Sequence, residues 1–243
     1  MSKLYVVGIG PGNFENMTGR AEKVLRECDV IIGYTVYADL IRPFFPEKEF
    51  YTTAMRQETE RVEAALQMAS EGKTVAVVCS GDGGVYGMSG LAEELAVKYP
   101  GTEVETVPGI SAMLSGAALL GAPLMHDFAV ISLSDLLTPW EKIEKRLRLA
   151  AQADFVICIY NPSSRKRKDY LKRACDIILE TASPATICGI ARNIGREGES
   201  ISVMTLSELR EAETDMFSTV FIGNSQTKAL KGKMVTPRGY RYE

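Results

Sequence analysis

The densest concentration of potential chemistry in the chain is Ser80-Gly81-Asp82-Gly83-Gly84-Val85-Tyr86-Gly87-Met88. Four glycines surround a single acid there, directly after the apolar run Val75-Ala76-Val77-Val78-Cys79. A continuous apolar run suits a strand buried on both faces. Glycine lets the following main chain approach a ligand closely or turn through positive φ. Ligands of open α/β sheets sit beyond the carboxyl ends of the strands, so this stretch is predicted to be a binding loop. A second loop, Gly8-Ile9-Gly10-Pro11-Gly12-Asn13, follows a strand pattern over 4–9. It fails as a dinucleotide fingerprint, because Asn13 stands where the third glycine belongs and Pro11 lacks an N–H donor. No Gly-Lys-Ser/Thr follows, which also excludes a Walker A phosphate loop. A third, Pro108-Gly109-Ile110-Ser111-Ala112, ends a strand pattern over 103–107.

The second half carries polar side chains at its predicted strand ends: Ser132, Ser134, Asp135, Tyr160, Asn161, Arg192, Asn193 and Asn224. A glycine-lined pocket with a polar one suits a flat cofactor held by backbone groups and a separate polar substrate. His126 is the only histidine and stands with Asp127 just before a strand. Such a residue is either a structural hydrogen-bonder or, with an ordinary pKa near about 6.5, a proton-transfer group. The run Arg165-Lys166-Arg167-Lys168 reads as a solvated helix start. Cations at a helix N-terminus oppose the dipole at about 0.3–1 kcal/mol each, so the run also hints at an anionic partner.

These groups need an alternating scaffold to hold them. Apolar periodicity predicts strands over 4–9, 29–33, 75–79 and 103–107, with helices over 18–27, 58–70, 90–98 and 111–120. Strands over 128–133, 155–160, 185–191, 200–205 and 219–223 follow, with helices over 140–151, 168–181 and 207–211; the last strands imply an antiparallel component. Gly121-Ala122-Pro123 reads as a boundary between domains 1–120 and 121–243. The expected architecture is two α/β domains, each a mixed sheet flanked by helices, with the active site in the cleft between them.

Composition narrows the classes. No run of 18 apolar residues suggests a membrane helix, and the chain opens directly into a strand pattern without a basic leader, so a cytoplasmic protein is expected. Five cysteines lie mostly in apolar runs with no C-x-x-C pair, and read as buried thiols of a reducing compartment. A net charge of −3 argues against a nucleic-acid binder. A single histidine excludes a clustered histidine metal site, and no metal is expected.

Taken together, the segments resemble the tetrapyrrole methylases. Val7-Gly8-Ile9-Gly10-Pro11-Gly12 is similar to their N-terminal loop, and Ser80 to Met88 to their cofactor loop, although most members have proline where Gly83 stands. Pro108-Gly109-Ile110-Ser111-Ala112 matches a third motif. Gly121-Ala122-Pro123-Leu124-Met125-His126-Asp127-Phe128, the run Ile131-Ser132-Leu133-Ser134-Asp135-Leu136-Leu137-Thr138-Pro139-Trp140, Tyr160-Asn161-Pro162 and Thr236-Pro237-Arg238-Gly239-Tyr240 resemble the C17-methylating branch.

The resemblance implies a homodimer that uses S-adenosyl-L-methionine as cofactor. By position, Pro11, Ser80, Gly81, Asp82, Val85, Ser111, Ala112, Asn161 and Arg192 would bind the cofactor. Gly10, Gly12, Tyr86, Ser134, Arg165 and Arg238 would bind the tetrapyrrole, with arginine forks suited to its carboxylates. Methyl transfer to C17 would be coupled to ring contraction, for which His126, Asp127 and Ser132 are the candidates for proton transfer. The expected substrate is cobalt-precorrin-3, with cobalt arriving inside the substrate, and precorrin-3B of the oxygen-dependent route is the alternative. The run Ser132 to Trp140 speaks against methylation elsewhere on the macrocycle and against methylation of a modified histidine on a protein; a non-catalytic tetrapyrrole or adenosyl-ligand carrier is the alternative of a different class.

Overall fold

In a computed structural model, residues 2–164 and 166–241 are described, and they divide into two compact units, Met1–Ala112 and Met113–Glu243. The first contains β1 (Ser2–Gly8), α1 (Gly19–Glu27), β2 (Val30–Tyr34), α2 (Thr35–Ile41), β3 (Glu49–Thr53), α3 (Glu58–Ser70), β4 (Thr74–Cys79), α4 (Ser89–Ala96) and β5 (Thr102–Val107). Its sheet has the order β3-β2-β4-β1-β5. Every neighbouring pair is parallel, where a mixed sheet was expected. The reason is local: a helix lies between each strand and the next, and only a tight hairpin would have reversed the chain.

β4 lies at the centre, and Val75, Ala76, Val77 and Val78 are fully buried, as their unbroken apolar run requires. Alternate residues feed two cores. Val75 and Val77 meet Val62, Leu66 and Ala92 of α3 and α4 on one face. Ala76 and Val78 meet Ala21, Leu25 and Ile41 of α1 and α2 on the other. The Thr18 hydroxyl caps α1 by accepting the Ala21 N–H at 3.1 Å. On the edge strand β5, Glu105 pairs with Lys3 at 2.7 Å. The sequence reading had not found α2 or β3; β3 is a short edge strand whose polar residues break the apolar signal.

The second unit runs through α5 (Ala112–Leu120), β6 (Gly121–Ala122), β7 (Phe128–Ser132), α6 (Trp140–Gln152), β8 (Val156–Tyr160), α7 (Tyr170–Ile178), β9 (Ile187–Arg192), β10 (Ser200–Thr205), α8 (Leu206–Leu209), β11 (Ser218–Ile222), β12 (Lys228–Leu230) and β13 (Lys233–Val235). The division thus falls after Ala112, the first residue of α5, and ahead of the Gly121 turn. Packing explains the difference. A Cβ on Gly116 would stand 3.0 Å from the Phe221 ring, and one on Gly189 would stand 2.7 Å from the Leu120 side chain. The small residues of α5 serve close packing against the second sheet.

That sheet has the order β10-β9-β11-β8-β7 and is mixed. β7 and β8 are parallel, and β11 is antiparallel to both β8 and β9. Hence β7, β8 and β9 point the same way, and their carboxyl ends share one edge. A small sheet, β12-β13-β6, which the sequence had not revealed, ties the Gly121 turn to the C-terminal hairpin. All five cysteines are free and buried. Burial pushes the thiols of Cys28 and Cys79 up to about 11 and that of Cys175 up to about 12, so these are protonated at neutral pH and poor nucleophiles. Among the described residues no helix is long and apolar enough to cross a membrane, and no cluster of His, Cys, Asp or Glu is suited to a metal ion.

Candidate active site

In the first unit the three glycine loops meet at the carboxyl edge of the sheet. The Ile9 N–H donates to the Cys79 carbonyl at 2.9 Å. Gly10 and Gly81 then exchange a reciprocal pair, Gly10 N–H to Gly81 O at 3.1 Å and Gly81 N–H to Gly10 O at 2.7 Å. Gly81 has φ +71°, which places it in the left-handed region. A Cβ on Gly8 would lie 2.6 Å from the Gly109 nitrogen, and one on Gly109 would overlap the Gly81 carbonyl oxygen. The crossing of these chains therefore excludes side chains.

Asp82 locks the crossing. One carboxylate oxygen accepts the Gly84 N–H at 2.8 Å and the other accepts the Gly109 N–H at 2.8 Å. Gly10, Pro11, Gly12, Ser80, Gly81, Asp82, Ser111 and Ala112 are thus brought together. Beside Gly81, the position a Cβ would take lies 3.5 Å from the Ala112 nitrogen and 3.6 Å from the Ser111 Cα, so a side chain would fill a space bounded by main chain. Such a surface fits a flat adenosyl group held by backbone contacts. Asp82 is among the residues expected to bind the cofactor, and here its two oxygens also hold the loops.

The loop continues through Val85, half-buried, and Tyr86, 55% exposed with φ +55°. A bulky residue in that backbone region is an outlier of the sort that gathers at ligand sites. A Cβ on Gly83 would lie 2.7 Å from the Ser89 Oγ, so this chain's departure from proline makes room for Ser89.

In the second unit, Ser132, Ser134, Asn161 and Arg192 share the carboxyl edge of β7, β8 and β9. The Ser132 Oγ accepts from the Asn161 Nδ2 at 2.9 Å and from the Ser134 N–H at 3.2 Å. With both lone pairs taken, its own proton is left to donate away from these partners, so Ser132 is a standing hydrogen-bond donor and a poor base. Asn161 has φ +52°, in the left-handed region asparagine tolerates. Beside it, Arg167 donates to the Ser134 Oγ at 2.8 Å and to Asp135 at 3.1 Å, and Tyr170 donates to Asp135 at 2.5 Å. The Tyr170 hydroxyl, with Arg167, holds the Asp135 carboxyl below its usual range. Arg192 donates to the Glu213 carbonyl. Arg167 lies before α7, which begins at Tyr170, so the basic run does not oppose that helix from within its first turn.

The three candidates for proton transfer do not converge within this unit. His126 and Asp127 precede β7, at the amino edge of the sheet, and Ser132 ends it, with a strand about 13 Å long between the two edges. Arg238 stands with them, donating to the Met125 carbonyl at 3.2 Å. Arg165 lies outside the described residues. A cavity of about 350 Å³ also opens at that edge, where Asp154 is held by Ser225 through its N–H at 2.8 Å and its hydroxyl at 2.6 Å; it contains none of the predicted site residues.

Sequence reasoning passed over Arg61. It stands one turn before Ala65 and two before Ala69 on the apolar stripe of α3, and a charge on that stripe was the available signal. Its side chain is buried at the carboxyl edge of the first sheet, donating to the Thr53 hydroxyl and the Ala54 carbonyl.

The sequence profile of the Tetrapyrrole (Corrin/Porphyrin) Methylases matches residues 3–210, and the chain belongs to that family. It is similar to the cobalt-factor III methyltransferase of Priestia megaterium, 46% identical over 98% of this chain and 45% of that protein. The chain thus spans about half the length of that relative. A probable cobalt-factor III C(17)-methyltransferase of Salmonella typhimurium is also 46% identical, over 98% of this chain and 99% of its own length. The precorrin-3B C(17)-methyltransferase of Sinorhizobium sp is 39% identical over 98% of this chain and 96% of its length. Among solved structures, the methyltransferase CobJ superposes with a TM-score of 0.91 at 38% identity, covering 98% of this chain and all of that one.

Proposed function

We propose that this chain transfers a methyl group from S-adenosyl-L-methionine to C17 of a cobalt-bearing precorrin-3-type tetrapyrrole, with ring contraction, in corrin-ring biosynthesis. The observation that carries this reading is the match to the Salmonella relative over 98% of this chain and 99% of that protein, beside the glycine crossing clamped here by Asp82. The cobalt-bearing substrate is favoured over precorrin-3B because identity is 46% to the Priestia and Salmonella cobalt-factor III enzymes and 39% to the Sinorhizobium precorrin-3B enzyme.

The sulfonium donor supplies an electrophilic methyl group. What this chain contributes is alignment, which suffices when an electron-rich macrocycle carbon is the nucleophile. Ser80–Gly81 and Ser111–Ala112 offer main chain to the adenosyl group, Tyr86 and Gly12 face the macrocycle, and Ser132 donates a hydrogen bond to an oxygen of the bound ligands. Ring contraction and a two-copy assembly belong to the same proposal; sedimentation of the purified protein tests the latter. Incubation with cobalt-precorrin-3 and donor should add one methyl group and release S-adenosylhomocysteine. Tight binding of both ligands with no such release would instead indicate a carrier.

A further inference from the structure

Arg61 is 2% exposed, yet it has no carboxylate partner in any ion pair among the described residues. Its Nε donates to the Thr53 hydroxyl at 2.8 Å, its Nη2 to the Ala54 carbonyl at 2.9 Å, and its Nη1 to the Met88 sulfur at 3.4 Å. A thioether is a weak acceptor for a guanidinium. The residue also lies in the first turn of α3, where the helix dipole disfavours a cation. Burial lowers its affinity for the proton, although an arginine stays charged. Glu58, three residues earlier and exposed, is the acid that acts on this charge, without a direct ion pair. A buried cation with no direct counter-ion is costly, and a leucine or methionine on the same stripe would complete the core without that cost.

Its location supplies the reason. Thr53 ends β3, Met88 closes the glycine loop two residues after the strained Tyr86, and both lie at the ligand-facing edge of the parallel sheet. We propose that Arg61 serves substrate binding through its charge, which no direct ion pair offsets and which the carboxylates of the bound tetrapyrrole match. This rests on the function proposed above. The charge acts at a distance, because the guanidinium is shielded from direct contact. Two unit charges about 12 Å apart at an effective dielectric of about 20 attract by about 1.4 kcal/mol, a tenfold change in affinity.

The test uses the full chain and uroporphyrin III, a tetrapyrrole polycarboxylate, with binding followed by fluorescence quenching and S-adenosylhomocysteine binding by calorimetry. In Arg61→Met the dissociation constant for uroporphyrin III should rise about tenfold while that for S-adenosylhomocysteine changes less than threefold. Arg61→Lys, which keeps the charge and loses the fork, should recover most of the porphyrin affinity. If Arg61→Met does not fold, Arg61→Gln takes its place. Unchanged porphyrin affinity in the neutral variant, or a parallel loss for both ligands in the neutral and lysine variants, overturns the proposal. A wild-type protein that shows the Arg61 dependence but transfers no methyl group would sink the methyltransferase reading alone. Methyl transfer without the dependence would sink this one alone.

Discussion

The Asp82 carboxylate bridges two loops, accepting the Gly109 N–H at 2.8 Å with one oxygen while its other oxygen accepts the Gly84 N–H at 2.8 Å. Hydrogen bonds to a charged acceptor contribute about 1.5–3 kcal/mol each, less where water reaches them. Asp82→Ala should therefore loosen the crossing by about 2 kcal/mol and weaken S-adenosylhomocysteine binding tenfold or more by calorimetry, with Asp82→Asn intermediate. Unchanged affinity would mean that the clamp does not shape the donor site.

The crossing itself is sterically closed. Gly109→Ala would drive a methyl group into the Gly81 carbonyl, and overpacking of this kind costs about 1–3 kcal/mol. Thermal melts should show that loss together with loss of donor binding. Gly19→Ala is the control: nothing lies within 4 Å of the added carbon, and the melt should be unchanged or slightly raised.

Ser132 and His126 stand at opposite edges of the second sheet, and they should separate in kinetics. Ser132→Ala removes the donor that Asn161 and Ser134 orient, and should lower turnover at least tenfold with the fold intact. His126→Ala should leave methyl transfer within about threefold of the parent. Equal losses would return the histidine to the reacting centre.

The Asp135–Tyr170 bond carries a pH signature. The carboxyl titrates lower than the usual 3.8 because Tyr170 and Arg167 bind its charged form, so its stabilisation is present above that value and is lost as pH falls through the depressed value. The tyrosine titrates higher than the usual 10.0, so its share is complete below that value and is lost as pH rises through the elevated one. Tyr170→Phe should lower stability by about 1 kcal/mol near neutrality. In melts across pH, the gap to the parent should narrow at both extremes; a constant gap would contradict the assignment.

The central strand and its glycine loop were readable because a buried parallel strand has a continuous apolar signature, and the same holds for the α3 stripe of Val62, Ala65, Leu66 and Ala69. β3 was not readable, since Glu49, Thr52 and Thr53 on an edge strand carry no apolar period. Ser132 and Asn161 meet because β7 and β8 pair in parallel, and Arg192 shares their edge because β11 inserts antiparallel between β8 and β9, pairing choices that no local pattern records. His126 lies close to Ser132 in sequence, but β7 (Phe128–Ser132) runs between them and carries the two to opposite edges. Gly116 signalled close packing without saying against what, and Phe221 is the answer.

The most direct measurement is methyl transfer from S-adenosyl-L-methionine carrying a 13C-labelled methyl group to cobalt-precorrin-3, with the product examined by NMR. The account predicts one labelled methyl, attached at C17 of a ring-contracted macrocycle, and one S-adenosylhomocysteine per product. Label at another carbon, or substrate recovered unlabelled from folded, donor-binding protein, would contradict it.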